Sequence, residues 1–296
     1  MTRKTANDFD PEVLKLFDNY VHGGLSRRGF LESAAKLALA GLSAEVLLEA
    51  LSPKFAEAQQ VALDDPRIVT QFVEHPSPTG YGKIRGYLVR PAKFSGKLPA
   101  VLVIHENRGL NPHIEDIARR LALAGFIAFA PDALFALGGY PGDEDKAREL
   151  FKGLDQDKVH ADFIAAVAVL NALPEANAKV GAVGFCYGGG IVNYLATQIP
   201  DLAAAVPFYG SQPSAEDAAK IKAPLLLHYA GADERINAGW PAYEAALTAA
   251  KINYQAFIYP GVQHGFNNDT TPRFDEAAAK LAWQRTIDFF NKYLQV

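Results

Sequence analysis

The run Val180-Gly181-Ala182-Val183-Gly184-Phe185-Cys186-Tyr187-Gly188-Gly189-Gly190 decides how the chain is read. Its first six residues are continuously apolar or small, as a strand buried on both faces requires, and helical character follows Gly190. Between the two the backbone must turn sharply, and the glycines at 184, 188 and 189 leave room where β-carbons would collide. The side chain at the apex of such a turn stands free at the strand's carboxyl end, where a nucleophile is useful. Here that residue is Cys186, the one cysteine in the sequence. A thiol at a helix N-terminus is biased towards thiolate, its nucleophilic form. The plainer reading is a buried cysteine beside a packing turn. A phosphate-binding loop fits less well, because no Lys-Ser/Thr follows the glycines.

Further short apolar runs recur on both sides of this unit: Ala100 to Ile104, Phe126 to Ala130, Ala203 to Phe208, Pro224 to Tyr229 and Tyr254 to Tyr259. Between and after them lie helical candidates, Ile114 to Ala124, Val159 to Leu173, Ile191 to Gln198, Pro241 to Ala250 and Phe274 to Tyr293. This alternation predicts an α/β fold with a doubly wound, mostly parallel sheet of about eight strands. Two alternating segments, Ile68 to Glu74 and Lys83 to Val89, flank the turn-rich 76–80 and predict an antiparallel pair at one edge. From residue 66 onward no repeat or linker appears, and residues 59–296 read as one domain.

In such a sheet the chemistry sits beyond the carboxyl ends of the strands. A nucleophile needs a base, and the base needs an orienting acid, here sought in that fold's chain order of acid then histidine. Asp233 follows the strand ending at Tyr229-Ala230, and His264 follows the last strand in Tyr259-Pro260-Gly261-Val262-Gln263-His264. The other histidines, including His22, His75, His113 and His160, lie away from those strand ends, and His228 lies within one. Cys186, His264 and Asp233 are therefore the candidate triad. The loop after the first buried strand, His105-Glu106-Asn107-Arg108-Gly109, is placed to give a second oxyanion donor, so the expected pair is the backbone amides of Asn107 and Tyr187. No second histidine stands at helical spacing from His105-Glu106, so neither a metal nor a cofactor is expected. Arg108 is a candidate for holding a substrate carboxylate, or else a loop arginine paired with Glu115 or Asp116; Asp143-Glu144-Asp145-Lys146 reads as a solvated helix start.

The 296 residues carry 29 Lys and Arg against 33 Asp and Glu, a formal charge of −4 without a basic stripe, which leaves no footprint for nucleic acid. One cysteine cannot form an internal disulfide.

Residues 1–58 differ in texture. Ser26-Arg27-Arg28-Gly29-Phe30-Leu31, the Ala/Leu-rich stretch Ala34 to Leu51 and Phe55-Ala56-Glu57-Ala58 resemble a twin-arginine export signal, with a cut expected after Ala58. That implies engagement by an export machinery and a periplasmic or secreted location. The alternative is a cytoplasmic protein whose amphipathic N-terminal helix docks on the domain or on a partner. Lys36, Glu45 and Glu49 exclude a permanent membrane span.

Together, Gly184-Phe185-Cys186-Tyr187-Gly188-Gly189, the stretch from Tyr259-Pro260-Gly261 to His264-Gly265-Phe266, and Glu106 resemble the dienelactone hydrolase family of the α/β-hydrolase fold, over roughly residues 66–296. The resemblance implies a carboxylic ester hydrolase that acts on a small ester or lactone through a thioester. It also implies that Glu106 contacts the resting thiol and helps it ionise. Two arginines by which family members hold a substrate carboxylate are replaced here by Leu137 and Asn268, so dienelactone itself does not follow. Alternatives are a broad carboxylesterase or acyl-peptide hydrolase with the same catalytic residues, and a non-catalytic binding module or thiol redox sensor on the same scaffold.

Overall fold

A computed structural model describes residues 4–37 and 43–295. Its strands are β1 (Ile68–Ser77), β2 (Gly82–Pro91), β3 (Leu98–Ile104), β4 (Ile127–Pro131), β5 (Ala176–Phe185), β6 (Ala204–Phe208), β7 (Leu225–Ala230) and β8 (Tyr254–Tyr259). They form one eight-stranded sheet in the order β1-β2-β4-β3-β5-β6-β7-β8. β1, β2 and β4 pair antiparallel, and every pairing from β4 through β3 to β8 is parallel. The antiparallel edge and the parallel body thus stand as the sequence pattern predicts.

The helices are α1 (Pro11–Val21), α2 (Arg27–Leu37), α3 (Ala44–Leu51), α4 (Phe55–Ala58), α5 (Pro112–Leu123), α6 (Glu144–Lys152), α7 (Gln156–Ala172), α8 (Tyr187–Gln198), α9 (Ala215–Ala218), α10 (Glu234–Asn237), α11 (Trp240–Ala249) and α12 (Glu276–Leu294). α6, α7, α8 and α11 bury one face of the sheet, while α5 and α12 bury the other. Strands β3, β5, β6 and β7 are covered on both sides, which explains their unbroken apolar runs. β8 departs from that expectation. It is the edge strand, with Ile258 half exposed, and the Arg285 guanidinium lies 3.6 Å from the Phe257 ring centre.

The N-terminal segment folds into helices with an apolar cluster of their own. Asp10 caps α1 by accepting from Glu12 N, Pro11 opens the helix, and Gly23, at φ +84°, ends it. The spacing of Val13, Leu14, Phe17, Tyr20 and Val21 puts them on one face of α1, where they pack with Phe30, Ala34, Leu47, Leu48 and Leu51. The segment is also stitched to the body. Arg148 Nη1 donates to the Tyr20 carbonyl at 2.8 Å, Arg27 pairs with Asp145 at 2.9 Å, and Lys54 N donates to the Thr270 carbonyl at 2.8 Å. Among the described residues no helix is long and apolar enough to cross a membrane. Part of the apolar stretch of the export motif, residues 38–42, lies outside the described residues.

Candidate active site

β5 runs into α8 through Cys186, whose φ of 56° and ψ of −112° are a strained conformation for a residue with a β-carbon. The turn is tight enough that a β-carbon on Gly184 would lie 2.2 Å from the Gly188 carbonyl oxygen. One on Gly188 would lie 2.3 Å from the Ile104 carbonyl oxygen. Glycine at 188 therefore lets the start of α8 press against the end of β3. Among the described residues, neither the Asn107 nor the Tyr187 backbone N–H is taken by a protein acceptor.

Asp233 sits just beyond β7 as the cap of α10; its Oδ1 accepts from Ile236 N at 3.2 Å. Its Oδ2 accepts from His264 Nδ1, and both side chains are buried. The other ring nitrogen of His264, Nε2, is buried without a hydrogen-bond partner among the described residues, and a ring nitrogen of His264 lies within 4.8 Å of Cys186 Sγ. The three residues singled out from their strand ends are thus together.

A further residue joins them. His22 Nε2 lies 3.3 Å from Cys186 Sγ, and the His22 ring stands edge-on to that of His264 with centres 4.7 Å apart. His22 Nδ1 donates to the Asp18 carbonyl at 2.7 Å and lies 3.3 Å from Asp18 Oδ1. Asp18 also receives Arg273 Nη1 at 3.3 Å. Strand-end reasoning passes over His22 because it belongs to no strand. The signal that could have found it is an Asp and a His four residues apart at the end of a capped amphipathic helix.

Burial pushes the Cys186 thiol up, but the neighbouring imidazoles of His264 and His22 outweigh it and bring it down to about 5. Burial pulls His22 down, while the Cys186 charge and the bond to Asp18 lift it to about 9. His264 is likewise raised: burial opposes this, and the Cys186 charge and the Asp233 bond prevail. The site therefore favours a thiolate beside a protonated His22 imidazole. Sγ and the two imidazoles are close enough for a soft cation to bridge.

Glu106 reaches the site without meeting the thiol as its hydrogen-bond partner. Its Oε2 accepts from Asn268 Nδ2 at 3.1 Å, and Asn268 Oδ1 in turn receives Thr270 N at 3.0 Å. Asn268 thus fills its position with a hydrogen-bonding role, whereas Leu137 is exposed. Arg108 pairs with neither Glu115 nor Asp116. Its Nε lies 2.7 Å from Glu144 Oε2, with both side chains largely buried, and Glu144 Oε1 also accepts from Tyr140 at 2.8 Å. Burial raises the Glu144 carboxyl, and Arg108 opposes that rise. The acidic start of α6 is thus only partly solvated: Glu144 is tied to Arg108, and Asp145 to Arg27, Arg148 and Tyr20. A cavity of about 410 Å³ lies over Cys186, lined from the body by Glu106, Arg108 and His264 and from the N-terminal segment by Phe17, Tyr20 and His22.

A strained strand-to-helix turn carrying a nucleophile, with an acid and a histidine on later strand ends, defines an α/β-hydrolase. The sequence profile of the dienelactone hydrolase family matches residues 84–294. A second profile, described as YqhI-like, matches residues 1–37. A putative carboxymethylenebutenolidase of Escherichia coli is 34% identical over 251 residues, covering 79% of this chain and 90% of its own. A putative hydrolase fragment, YghX, of Escherichia coli is 58% identical over 114 residues, covering 38% of this chain and 97% of its own. Among solved structures, a putative dienelactone hydrolase from Klebsiella pneumoniae superposes with a TM-score of 0.67 at 30% identity, covering 76% of this chain and 99% of that one. The chain belongs to the dienelactone hydrolase family, and it is a hydrolase of carboxylic esters.

Proposed function

We propose that the protein hydrolyses small esters or lactones through a thioester on Cys186, with His264 as the base that activates water and Asp233 as its orienter. The observation that carries this reading is His264, whose Nδ1 is held by Asp233 while its buried ring lies beside Sγ. The thiolate attacks the carbonyl carbon, and the oxyanion forms against the Asn107 and Tyr187 amides. The C–O bond breaks, and the alkoxide leaves with a proton from a neighbouring imidazolium. Water then gives a proton to His264 and attacks the thioester, the acid departs, and Cys186 sulfur is restored. Trapping tests this: brief incubation with a p-nitrophenyl ester should add one acyl mass to the wild-type chain and none to Cys186→Ala. An acyl group found on another residue would refute it.

The substrate end that other family members bind through arginines is, on this reading, uncharged. Leu137 and Asn268 carry no charge, and the Arg108 guanidinium is already engaged by Glu144.

For the N-terminal segment we favour the docked-helix alternative, in which residues 1–58 stay on the working protein. Its own apolar cluster and the Arg27–Asp145 pair support that reading. The export reading has a separate test. If Arg27 and Arg28 address the protein to the periplasm, changing both to Lys will move it to the cytoplasmic fraction; an unchanged distribution removes that reading. The intact mass of the purified protein reports whether Ala58 is a cleavage point.

A further inference from the structure

The thiol of Cys186 has its hydrogen bond with His22, a residue from outside the hydrolase body, and this contact has consequences for the first half of the reaction. Asp18 and His22 repeat the logic of Asp233 and His264: a carboxylate and a carbonyl hold Nδ1, which leaves Nε2 for the sulfur. The geometry fits proton transfer from sulfur, because 3.3 Å is hydrogen-bonding range for a thiol and an imidazole nitrogen. His264 also bears on the sulfur, but its Nε2 makes no bond of that geometry among the described residues. Nor does the side chain of Glu106, which is held by Asn268.

We propose that the N-terminal helical segment is a working part of the active site, and that His22, backed by Asp18, is the base that takes the Cys186 proton before attack. This rests on Cys186 being the nucleophile. The proton passes from Sγ to His22 Nε2, leaving a thiolate and an imidazolium. When the C–O bond of the ester breaks, that imidazolium returns the proton to the departing alkoxide. His264 then serves the second half alone: it accepts a proton from water and delivers it to the sulfur as the acid leaves. Two half-reactions thus use two bases, one from each part of the chain.

The groups that face His22 are Asp18 on its own helix, Arg273 behind Asp18, His264 and Cys186 across the site, and Arg235 from α10. Arg235 Nη2 lies 3.1 Å from His22 Nε2 and opposes protonation there. Its side chain is about half exposed, with Nε 4.0 Å from Asp18 Oδ2 and Nη2 3.5 Å from His264 Nδ1, and it must yield as the imidazolium forms.

The test separates the two half-reactions and does not depend on ester turnover. In His22→Gln, alkylation of Cys186 by iodoacetamide at pH 6 should slow about tenfold or more, since each tenfold loss of thiolate fraction lowers the rate in proportion. Stopped-flow acylation by p-nitrophenyl acetate should fall by a similar factor, while deacylation stays within about twofold. Asp18→Asn leaves the imidazole in place and should shift both readouts the same way by about threefold, which keeps the proposal testable if His22→Gln does not fold. An alkylation profile of His22→Gln superimposable on wild type would overturn the proposal, and so would equal losses in acylation and deacylation. Failure of the underlying nucleophile assignment looks different: in that case Cys186→Ala would still turn over ester.

Discussion

Asp233 and His264 reach the Cys186 sulfur from loops at the carboxyl ends of two adjacent sheet strands, whereas Asp18 and His22 reach it from the last turn of one helix outside the sheet. The first pair is fixed by β7 and β8, which hydrogen-bond along their length from Leu225–Tyr254 to Ala230–Tyr259. It cannot shift without disturbing the core. The second pair is fixed by a separate apolar cluster and a few polar ties, such as Arg148 to the Tyr20 carbonyl and Asn107 Nδ2 to the Val21 carbonyl at 2.9 Å. Part of the site is thus as stable as the fold, and part only as stable as a docked segment. Local opening of the segment would remove one base and uncover the cavity while the sheet stays intact.

The largest effect expected in this comparison is common to both halves. Cys186→Ala should lower ester turnover by about 10⁶ without unfolding the protein, because both imidazoles act on that one sulfur. Circular dichroism with a continuous ester assay checks this. Activity above about a tenth of wild type would place the nucleophile elsewhere.

Changing the two carboxylates in turn sets the pairs against each other. Asp233→Asn should cost up to about 10⁴ in turnover, the scale on which an orienting acid acts when its loss leaves the histidine in the wrong tautomer. Asp18→Asn should cost about threefold, because the Asp18 carbonyl still receives His22 Nδ1 at 2.7 Å. Steady-state kcat and KM of the two variants decide it. Equal losses would mean that the docked pair is as fixed as the sheet-borne one.

The body of the molecule was legible in the sequence because its rules are local. Runs such as Ala100 to Ile104 announce strands buried on both faces, and Cys186 among glycines announces the turn between strand and helix. Asp233 and His264 followed from where those strands end. β8 carries an apolar run like those of the covered strands yet lies at the edge, because an edge strand can carry the same aromatic and β-branched composition. His22 stayed hidden for a different reason. The spacing of Asp18 and His22 marks a candidate pair but not its target, since its place on the sulfur depends on how a whole helical segment docks, a contact across 164 residues. The Arg108–Glu144 pair was missed likewise, since an acidic cluster at a helix start is usually solvated, and here a distant guanidinium removes Glu144 from water.

pH sharpens the comparison further. With both imidazoles in place the thiol lies at about 5, well below its ordinary value of 9.0. A lowered value means the thiolate is populated above it and lost as the pH falls through it. Alkylation of the wild type should therefore be nearly flat from neutral pH to about 6 and drop about tenfold for each pH unit below 5. A decline that sets in already between pH 9 and 7 would show that the imidazoles do not hold the charge.

The smallest effect concerns Arg108, where the body meets the cavity that the segment covers. If Glu144 satisfies this guanidinium, Arg108 has no charge to spare for a substrate carboxylate, and its loss will not change the preference between charged and neutral esters. Arg108→Ala alone is a poor probe, because it strands a buried carboxylate, and breaking such a pair costs about 3–5 kcal/mol. The double substitution Arg108→Leu with Glu144→Gln removes both charges and keeps an acceptor for Tyr140, whose hydroxyl donates to Glu144 at 2.8 Å. The ratio of kcat/KM for a neutral acetate ester to that for a succinate monoester should stay within about twofold of wild type, less than the tenfold that 1.4 kcal/mol would bring. A selective tenfold loss for the succinate ester would instead make Arg108 the carboxylate anchor that positions 137 and 268 lack, and Glu144 the partner it leaves when substrate arrives.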